Sequence, residues 1–352
     1  MAIVADRYAF VVGVDTHAAA HHYALIDART GGVIDDRAFP TTPAGLGRAL
    51  NWVIDRTGPA TGGLVEQVLI SMEGTRSYGA QAAVVFAEAG YRVTDAPTPK
   101  RERGAGKNDH LDAITAARGI LGKEVDRLAD ARAGQTSTLL QILLTARNAM
   151  TSERTRAINA LTALLRVHDL GIDARRALSS QTITTIAAWR RRAGDTPAQA
   201  AARTEAIRLA RRVGDLNTDV KANEAALRAA VTEAMPSLLE MVGIGPVNAA
   251  IVLATWSHPG RVRNDAAFAK LAGACPLEIS SGRRHEHRLN RTGDRQLNRA
   301  LHTIANTRMR YEPRTRDYVE RRTAQGLTGP RIRRCLKRYI ARELHQHLAT
   351  MT

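Results

Sequence analysis

Between Phe10 and Asp95 the apolar residues change period several times, and the order of those changes restricts the fold more than any single motif does. "YAFVVGVD", "HYALID" and "GVIDDRAF" read as three strands joined by short Gly or Asp turns, a meander. A helix follows from Pro43 to about Arg56, with Leu46, Leu50 and Val53 on one face. "QVLISME" then gives a fourth strand, "SYGAQAAVVFAEAG" a helix closed by Gly90, "YRVTDA" a fifth strand, and "DHLDAITAARGIL" another helix.

Three antiparallel strands followed by alternating helix and strand is the element order of an RNase H-like, or RuvC-like, α/β domain. Many α/β domains share pieces of that order, so the acidic residues decide. The first strand is apolar through Val14 and then finishes on Asp15. A charge at the end of a buried strand costs several kcal/mol unless it is paired or meets a metal. Glu73 finishes the fourth strand in the same way, and Asp109 and Asp112 stand three apart at a helix start, on one helical face. Each acid alone reads as a cap or turn residue. Together, in neighbouring elements, they form a set that repels itself unless a divalent cation with oxygen ligands, magnesium above all, sits among them. Asp27, Asp35 and Asp36 read as turn residues.

From about Thr136 to Pro236 the pattern becomes helical and rich in Ala, Leu and Arg. Leu139, Leu143, Ala146, Met150, Ile158, Leu161 and Leu165 make an apolar stripe at helical spacing, which suits an antiparallel helical hairpin or a coiled coil used for self-association. The expected division is 1–135, an α/β domain with the acids; 136–235, a helical coiled-coil linker; and 236–352, a mainly helical C-terminal domain. In the last of these "VGIGPVNA" resembles a helix-hairpin-helix, with Gly243 and Gly245 opening a helix whose backbone N–H groups suit phosphate.

Charge separates the two ends. Residues 261–352 hold 21 Lys or Arg against 8 Asp or Glu, whereas residues 1–110 hold 11 against 12. The C-terminal end is therefore suited to nucleic-acid phosphates. Aromatic residues make up 4% of the chain, which disfavours base-stacking platforms and leaves duplex backbone contact. Cys275 and Cys335 fit neither a disulfide framework nor a zinc spacing, and no membrane span or secretory core is evident, so a cytoplasmic protein is expected.

Several motifs read as bland. His17, His21 and His22 fall in a hairpin turn without a further ligand, and His285 with His287 and His345 with His347 read as solvated pairs. "GAGKN", Gly104–Asn108, lacks the upstream glycine and the final Ser or Thr of a phosphate loop. Ser280 and Ser281, in "CPLEISSGRRHEHRLNRTGDRQLNRAL", read as turn residues beside arginines, with no His–Asp pair to activate either.

"GVDTH", "SMEGT", "KNDHLDA", "VGIGPVNA" and "SSGRR" followed by "RTGDRQLNRAL" together resemble the DEDD insertion-sequence transposases, whose better-known members are bridge-RNA-guided recombinases, along nearly the whole chain. The resemblance implies a RuvC-like domain, a coiled-coil linker and a C-terminal transposase domain. It implies that Asp15, Glu73, Asp109 and Asp112 hold Mg2+ and that Ser281, with Ser280 as neighbour, attacks DNA to form a phosphoserine. Arg283, Arg284 and Arg288 would neutralise phosphate charge. It further implies an oligomer, with a tetramer as the expected state, donor and target duplex DNA as substrates, and a noncoding bridge RNA as guide.

Three other classes compete with a transposase. A metal-dependent nuclease or junction resolvase would use water and leave no protein-linked strand. A sugar-kinase-like or actin-like ATPase shares the opening strands but needs glycine-rich phosphate turns that "DTH" does not supply. An architectural DNA binder would need the charge alone.

Overall fold

The structure, a computed structural model, describes residues 2–97, 109–281, 284–288, 290 and 293–351; for Asp109, 277–281, 284–288 and Met351 the description covers the backbone. Gly104–Asn108 and Arg283 lie outside the described residues. The chain divides into two units, Met1–Gly134 with Trp256–Asn264, and Gln135–Thr255 with Asp265–Thr352. Among the described residues no helix is long and apolar enough to cross a membrane.

The first unit is built on a mixed sheet. A short helix α1 (Val4–Arg7) leads into β1 (Phe10–Thr16), β2 (Ala20–Asp27) and β3 (Val33–Pro40), which form the antiparallel meander. α2 (Pro43–Thr61) leads to β4 (Val68–Met72), which runs parallel to β1 on its other side, and α3 (Ala80–Glu88) leads to β5 (Arg92–Asp95), parallel to β4. The strand order is β3-β2-β1-β4-β5, and α4 (Asp109–Arg118) follows. α2 runs past the expected end near Arg56, with the Thr57 and Thr61 hydroxyls buried and donating to the Val53 and Thr57 carbonyls at 2.8 and 3.0 Å. It stops at Gly62, whose φ of 61° is in the left-handed region.

Strand alternation gives each face of the sheet its own core. Val12, Val14, Tyr23, Leu25, Ile70 and Met72 pack with Leu46, Trp52 and Val53 of α2 and Ala82 and Phe86 of α3. Val11, Ile26 and Leu69, on the opposite face, pack with Ala117 and Ile120.

On that second face, small residues cross the sheet in one row. Gly13 is paired with Ala24 on β2 and with Ser71 on β4. A Cβ on Gly13 would stand 2.0 Å from the Ala113 oxygen and 2.6 Å from the Ala117 nitrogen, so the backbone of α4 lies directly on that of β1. Ser71 Oγ donates to the Ala116 carbonyl at 2.7 Å, and Ala24 is buried against Ala113 and Ile114. These contacts fix α4 on the sheet and hence where Asp112 lies.

Asp35 and Asp36 are strand residues, not the turn residues that the sequence suggested. Asp35 accepts from Trp52 Nε1 at 3.1 Å and Arg56 Nε at 2.8 Å, and Asp36 bonds to His110 Nδ1 at 2.8 Å. Asp27 does belong to a turn, accepting from the Thr30 N–H and hydroxyl, both at 2.8 Å.

The second unit is helical apart from one hairpin. α5 (Gln135–Val167), α6 (Ser180–Ala187) and α7 (Pro197–Ala234) come first, and Thr196 with Gln199 closes a capping box at the start of α7. α5 and α7 run antiparallel: Arg147 bonds to the Val220 carbonyl and Glu224, Arg154 to Asn217, and Arg212 to Glu153. Leu161 and Leu165 are buried there as expected. Toward the start of α5 the buried positions are Leu140 and Leu144, one residue out of step with the expected stripe, and Leu139 is 46% exposed. Hydropathy does not distinguish adjacent leucines. Ser137 Oγ, bonded to the Ala254 carbonyl at 3.3 Å, and Asn223 Nδ2, bonded to the Leu143 carbonyl at 3.0 Å, instead fix the phase.

The rest of the unit comprises α8 (Ser237–Glu240), α9 (Pro246–Trp256), α10 (Asp265–Leu271), the antiparallel β6 (Leu277–Ser281) and β7 (Arg284–Arg288), and α11 (Arg295–Tyr311), α12 (Pro313–Ala324) and α13 (Gly329–Leu348).

Gly13→Ala is expected to lower stability by about 1–3 kcal/mol or more, because the added methyl meets helix backbone that has no side chain to rotate away. Thermal unfolding followed by circular dichroism checks this; an unchanged midpoint would show that α4 is not seated on β1.

Candidate acid site and serine hairpin

The parallel pairing of β1 and β4 carries the acid site. Val14 is paired with Met72, and the Glu73 N–H donates to the Val14 carbonyl at 3.0 Å, so the register continues by one step and sets Glu73 beside Asp15. Both follow the row of Gly13 and Ser71 by two residues and so share the face covered by α4. Adjacent strands lie about 4.8 Å apart, which brings the two carboxylates within each other's field. Asp15 is buried at 6% exposure and Glu73 is half-buried.

Asp112, one residue before the Ala113 that rests on Gly13, completes a trio. Burial pushes the Glu73 carboxyl above its ordinary range, and the negative charges of Asp15 and then Asp112 push it further, with His17 acting against them. Three acids from β1, the end of β4 and α4 therefore share one electrostatic environment. Asp109, the first residue of α4, lies one turn before Asp112, and its side chain is outside the described residues.

His17 belongs to this site, although its place after a strand end made it look like a loop histidine. Its Nε2 is 2.9 Å from Asp15 Oδ2, and its backbone N–H donates to His21 Nδ1 at 3.3 Å. His21 is buried, and burial together with His17 lowers its pKa. The sequence signal was the spacing: His17 stands only two residues after Asp15, in the connection that follows β1.

Among the described residues, no three His, Cys, Asp or Glu groups are drawn closely enough together to hold a metal ion. The donor chemistry nevertheless fits a hard divalent cation. The trio offers carboxylate oxygens, and Glu73 carries a charge that its neighbours disfavour, which a cation would relieve.

The second cluster lies on the C-terminal hairpin. Ser280 and Ser281 occupy the last two positions of β6, not a turn, and are paired with His285 and Arg284. They are strand residues because the antiparallel ladder runs up to the pair of Ser281 and Arg284. Arg288, at the far end of β7, is paired with Leu277.

Residues 293–298 grip the chain that leads into this hairpin. The Asp294 N–H donates to the Leu271 carbonyl at 2.7 Å, while Asp294 Oδ1 caps α11 through the N–H groups of Gln296 and Leu297. Gly293 has a φ of 114° and lies so close that a Cβ would stand 2.6 Å from the Leu271 oxygen. Asn298 Nδ2 donates to the Ala272 carbonyl at 2.6 Å, and Lys337 Nζ of α13 donates to Asn298 Oδ1 at 2.7 Å. Lys337 is 8% exposed, and burial lowers its pKa. The sequence reading assigned nothing to Lys337, since only the fold turns its face of α13 inward.

Gly243 and Gly245 have different surroundings. Gly243, with a φ of 83°, is pressed against α11, where a Cβ would stand 3.2 Å from the Ile304 oxygen, and Arg308 Nε donates to the neighbouring Val242 carbonyl at 2.8 Å. Gly245 is exposed with open space around it, immediately before α9.

Two family models match the chain, in the order of these two clusters. A DEDD model of IS110 type, described as a transposase, matches residues 12–168 and encloses Asp15, Glu73, Asp109 and Asp112. A model described as transposase IS116/IS110/IS902 family matches 235–320 and encloses the hairpin, Asp294 and Asn298. The insertion element IS110 uncharacterized 43.6 kDa protein of Streptomyces coelicolor is 36% identical over 94 residues, a segment covering 26% of this chain and 23% of that relative.

The raised Glu73 carboxyl gives a pH prediction with a definite sign. An acid whose pKa is higher folded than unfolded opposes folding once ionised; the penalty is absent at low pH and complete above the folded value. Glu73→Gln is therefore expected to raise the unfolding midpoint at about pH 7 in chelator, with the gain disappearing toward about pH 4. A lower midpoint for the variant at neutral pH would mean that Glu73 is stabilised by its surroundings.

Proposed function

We propose that the chain, which models of IS110-type transposases match over residues 12–168 and 235–320, cuts and rejoins DNA strands at an insertion sequence through a serine nucleophile. The observation that carries this reading is the register that sets Glu73 beside Asp15 at the ends of β1 and β4, with Asp112 one residue before the Ala113 that rests on Gly13. The strand order, an antiparallel meander followed by two parallel strands, supports an RNase H-like arrangement of the first unit.

Asp15, Glu73, Asp112 and Asp109 would hold a divalent cation, Mg2+ in our reading. When bound, that cation supplies positive charge against the non-bridging oxygens of a scissile phosphate. The carboxylates orient the phosphate between β1, β4 and α4, and His17 holds the Asp15 carboxylate in place.

Ser281 attacks phosphorus. An Oγ–P bond forms, the P–O bond to the neighbouring sugar breaks, the serine proton is given up and the leaving oxygen takes a proton. The bond energy is kept in the phosphoserine, and resealing runs the same exchange backwards from a new sugar hydroxyl. Arg284 and Arg288 of β7 and the neighbouring Arg283 would balance phosphate charge, and Gly245 at the start of α9 offers a further phosphate contact.

The family resemblance extends the reading to donor and target duplexes chosen by a bridge RNA, and to a tetramer in which one protomer's acids meet another's serine. Leu139 and Ile142, exposed one turn apart on α5, are apolar positions that a second copy would cover.

Incubating the chain with DNA carrying its own element ends, then denaturing, is expected to leave a protein-linked strand that Ser281→Ala eliminates while nucleic-acid binding persists. Adduct retained in Ser281→Ala and lost in Ser280→Ala would move the nucleophile by one residue. Cleavage without any adduct would favour hydrolysis by water.

A further inference from the structure

The connection that leaves the acid site after β4 carries an aromatic ring that nothing described so far uses. Residues 73–79 join β4 to α3 in tight successive turns. The Ser77 N–H donates to the Gly74 carbonyl at 2.8 Å, the Gly79 N–H to the same carbonyl at 3.1 Å, and the Ala80 N–H to the Ser77 carbonyl at 3.2 Å.

Both glycines of this connection close on Thr16, the residue after Asp15. Thr16 Oγ1 donates to the Glu73 carbonyl at 3.2 Å. Gly74 has a φ of 60°, and a Cβ on it would stand 2.7 Å from Thr16 Oγ1. A Cβ on Gly79 would stand 2.9 Å from the Glu73 oxygen and 2.9 Å from Thr16 Cγ2. The chain therefore leaves Glu73, turns, and returns onto Glu73 and Thr16 at Gly79. Midway through the turn the Thr75 hydroxyl donates to the Asp95 carboxylate at the end of β5, so the backbone is pinned on that side too.

Tyr78 is the residue before the return. It lies one Cα step, about 3.8 Å, from a glycine pressed against the ends of both acid-bearing strands. Gly79 is buried and Tyr78 is 62% exposed. The other tyrosines of this unit, Tyr8, Tyr23 and Tyr91, are all buried. An exposed ring on a loose loop needs no explanation. Here the backbone under the ring is fixed, so a flat apolar face is held out beside the carboxylates with only two side-chain torsions left to order. The partner that such a face fits is another flat ring. Nucleic-acid bases stack on aromatic side chains whatever their identity, because every base has a π-face.

We infer that Tyr78 is a base-stacking residue, whose ring receives an unpaired base of the DNA strand that lays its phosphate at the acids. The ligand rests on the transposase reading; the position of Tyr78 rests on the contacts of Gly74 and Gly79 with Thr16 and Glu73. Stacking at Tyr78 sets which phosphate reaches Asp15 and Glu73, and it requires the duplex to be opened at that step.

Photocrosslinking tests the contact without cleavage. The full chain, in chelator, is irradiated with a single-stranded DNA of arbitrary sequence in which 5-iodouracil replaces every thymine, and separately with the matching RNA carrying 5-iodouracil. Crosslinked residues are then mapped by mass spectrometry. A crosslink at Tyr78 on the DNA is expected. Its absence from both probes would overturn the stack, and a crosslink on the RNA alone would overturn the assignment to DNA. The rate at which the protein-linked strand forms at saturating DNA should fall about tenfold in Tyr78→Ala and stay within about twofold of wild type in Tyr78→Phe, which keeps the ring. Both variants change an exposed side chain and should keep the wild-type unfolding midpoint. An unchanged rate in Tyr78→Ala, or an equal loss in Tyr78→Phe, would overturn stacking as the role. Absence of any protein-linked strand in the wild type would leave the crosslink standing, so the two readings fail separately.

Discussion

Helix α4 rests on strand β1 without an intervening side chain at Gly13, and the geometry of the acid site descends from that contact. Gly13, Ala24 and Ser71 make a shallow row across three strands, and Ala113, Ala116 and Ala117 of α4 settle into it. Two residues further along β1 and β4 the same face presents Asp15 and Glu73, and one residue earlier on α4 stands Asp112. Larger residues in the row would lift the helix and separate the acids. The packing of small residues thus does electrostatic work, since it brings like charges together at a cost that the rest of the core must cover.

That cost explains how burial is distributed around the acids. Large apolar residues fill the opposite face of the sheet with α2 and α3, and Asp35 at its margin is bonded to Trp52 and paired with Arg56. The α4 face is thinner and mixed: alanines and a serine hydroxyl near the middle, then carboxylates at the edge, with His17 against Asp15. The second unit is organised differently. There a short hairpin is held by hydrogen bonds to the chain that enters it, through Asp294, Asn298 and Lys337, with a glycine at φ 114° where a side chain would collide. The family match spans both regions, acids in the first and hairpin in the second.

Much of this was legible in the sequence because it depends on local pattern. Period-2 runs gave the strands, and a charge finishing an apolar run singled out Asp15 and Glu73 before any register was known. What was missed depends on which residues the fold brings together. His17 does lie in the connection after β1, and what was missed is its bond to Asp15, two positions back. Asp35 and Asp36 looked like turn residues until Trp52, Arg56 and His110 arrived from distant helices. The stripe on α5 was placed one residue out of step because neighbouring leucines are equally apolar. Ser280 and Ser281 read as a turn because the glycine after them outweighed the weak strand signal before them.

The central claim is that carboxylates from β1, the end of β4 and α4 act as one cation site. Titrating the full chain with Mn2+ and following the free ion by electron paramagnetic resonance tests it directly. Saturable binding that is lost in Asp15→Asn and equally lost in Asp112→Asn is the predicted result, because the two residues belong to different elements and meet only through the seat at Gly13. Binding that survives in either variant would contradict the account.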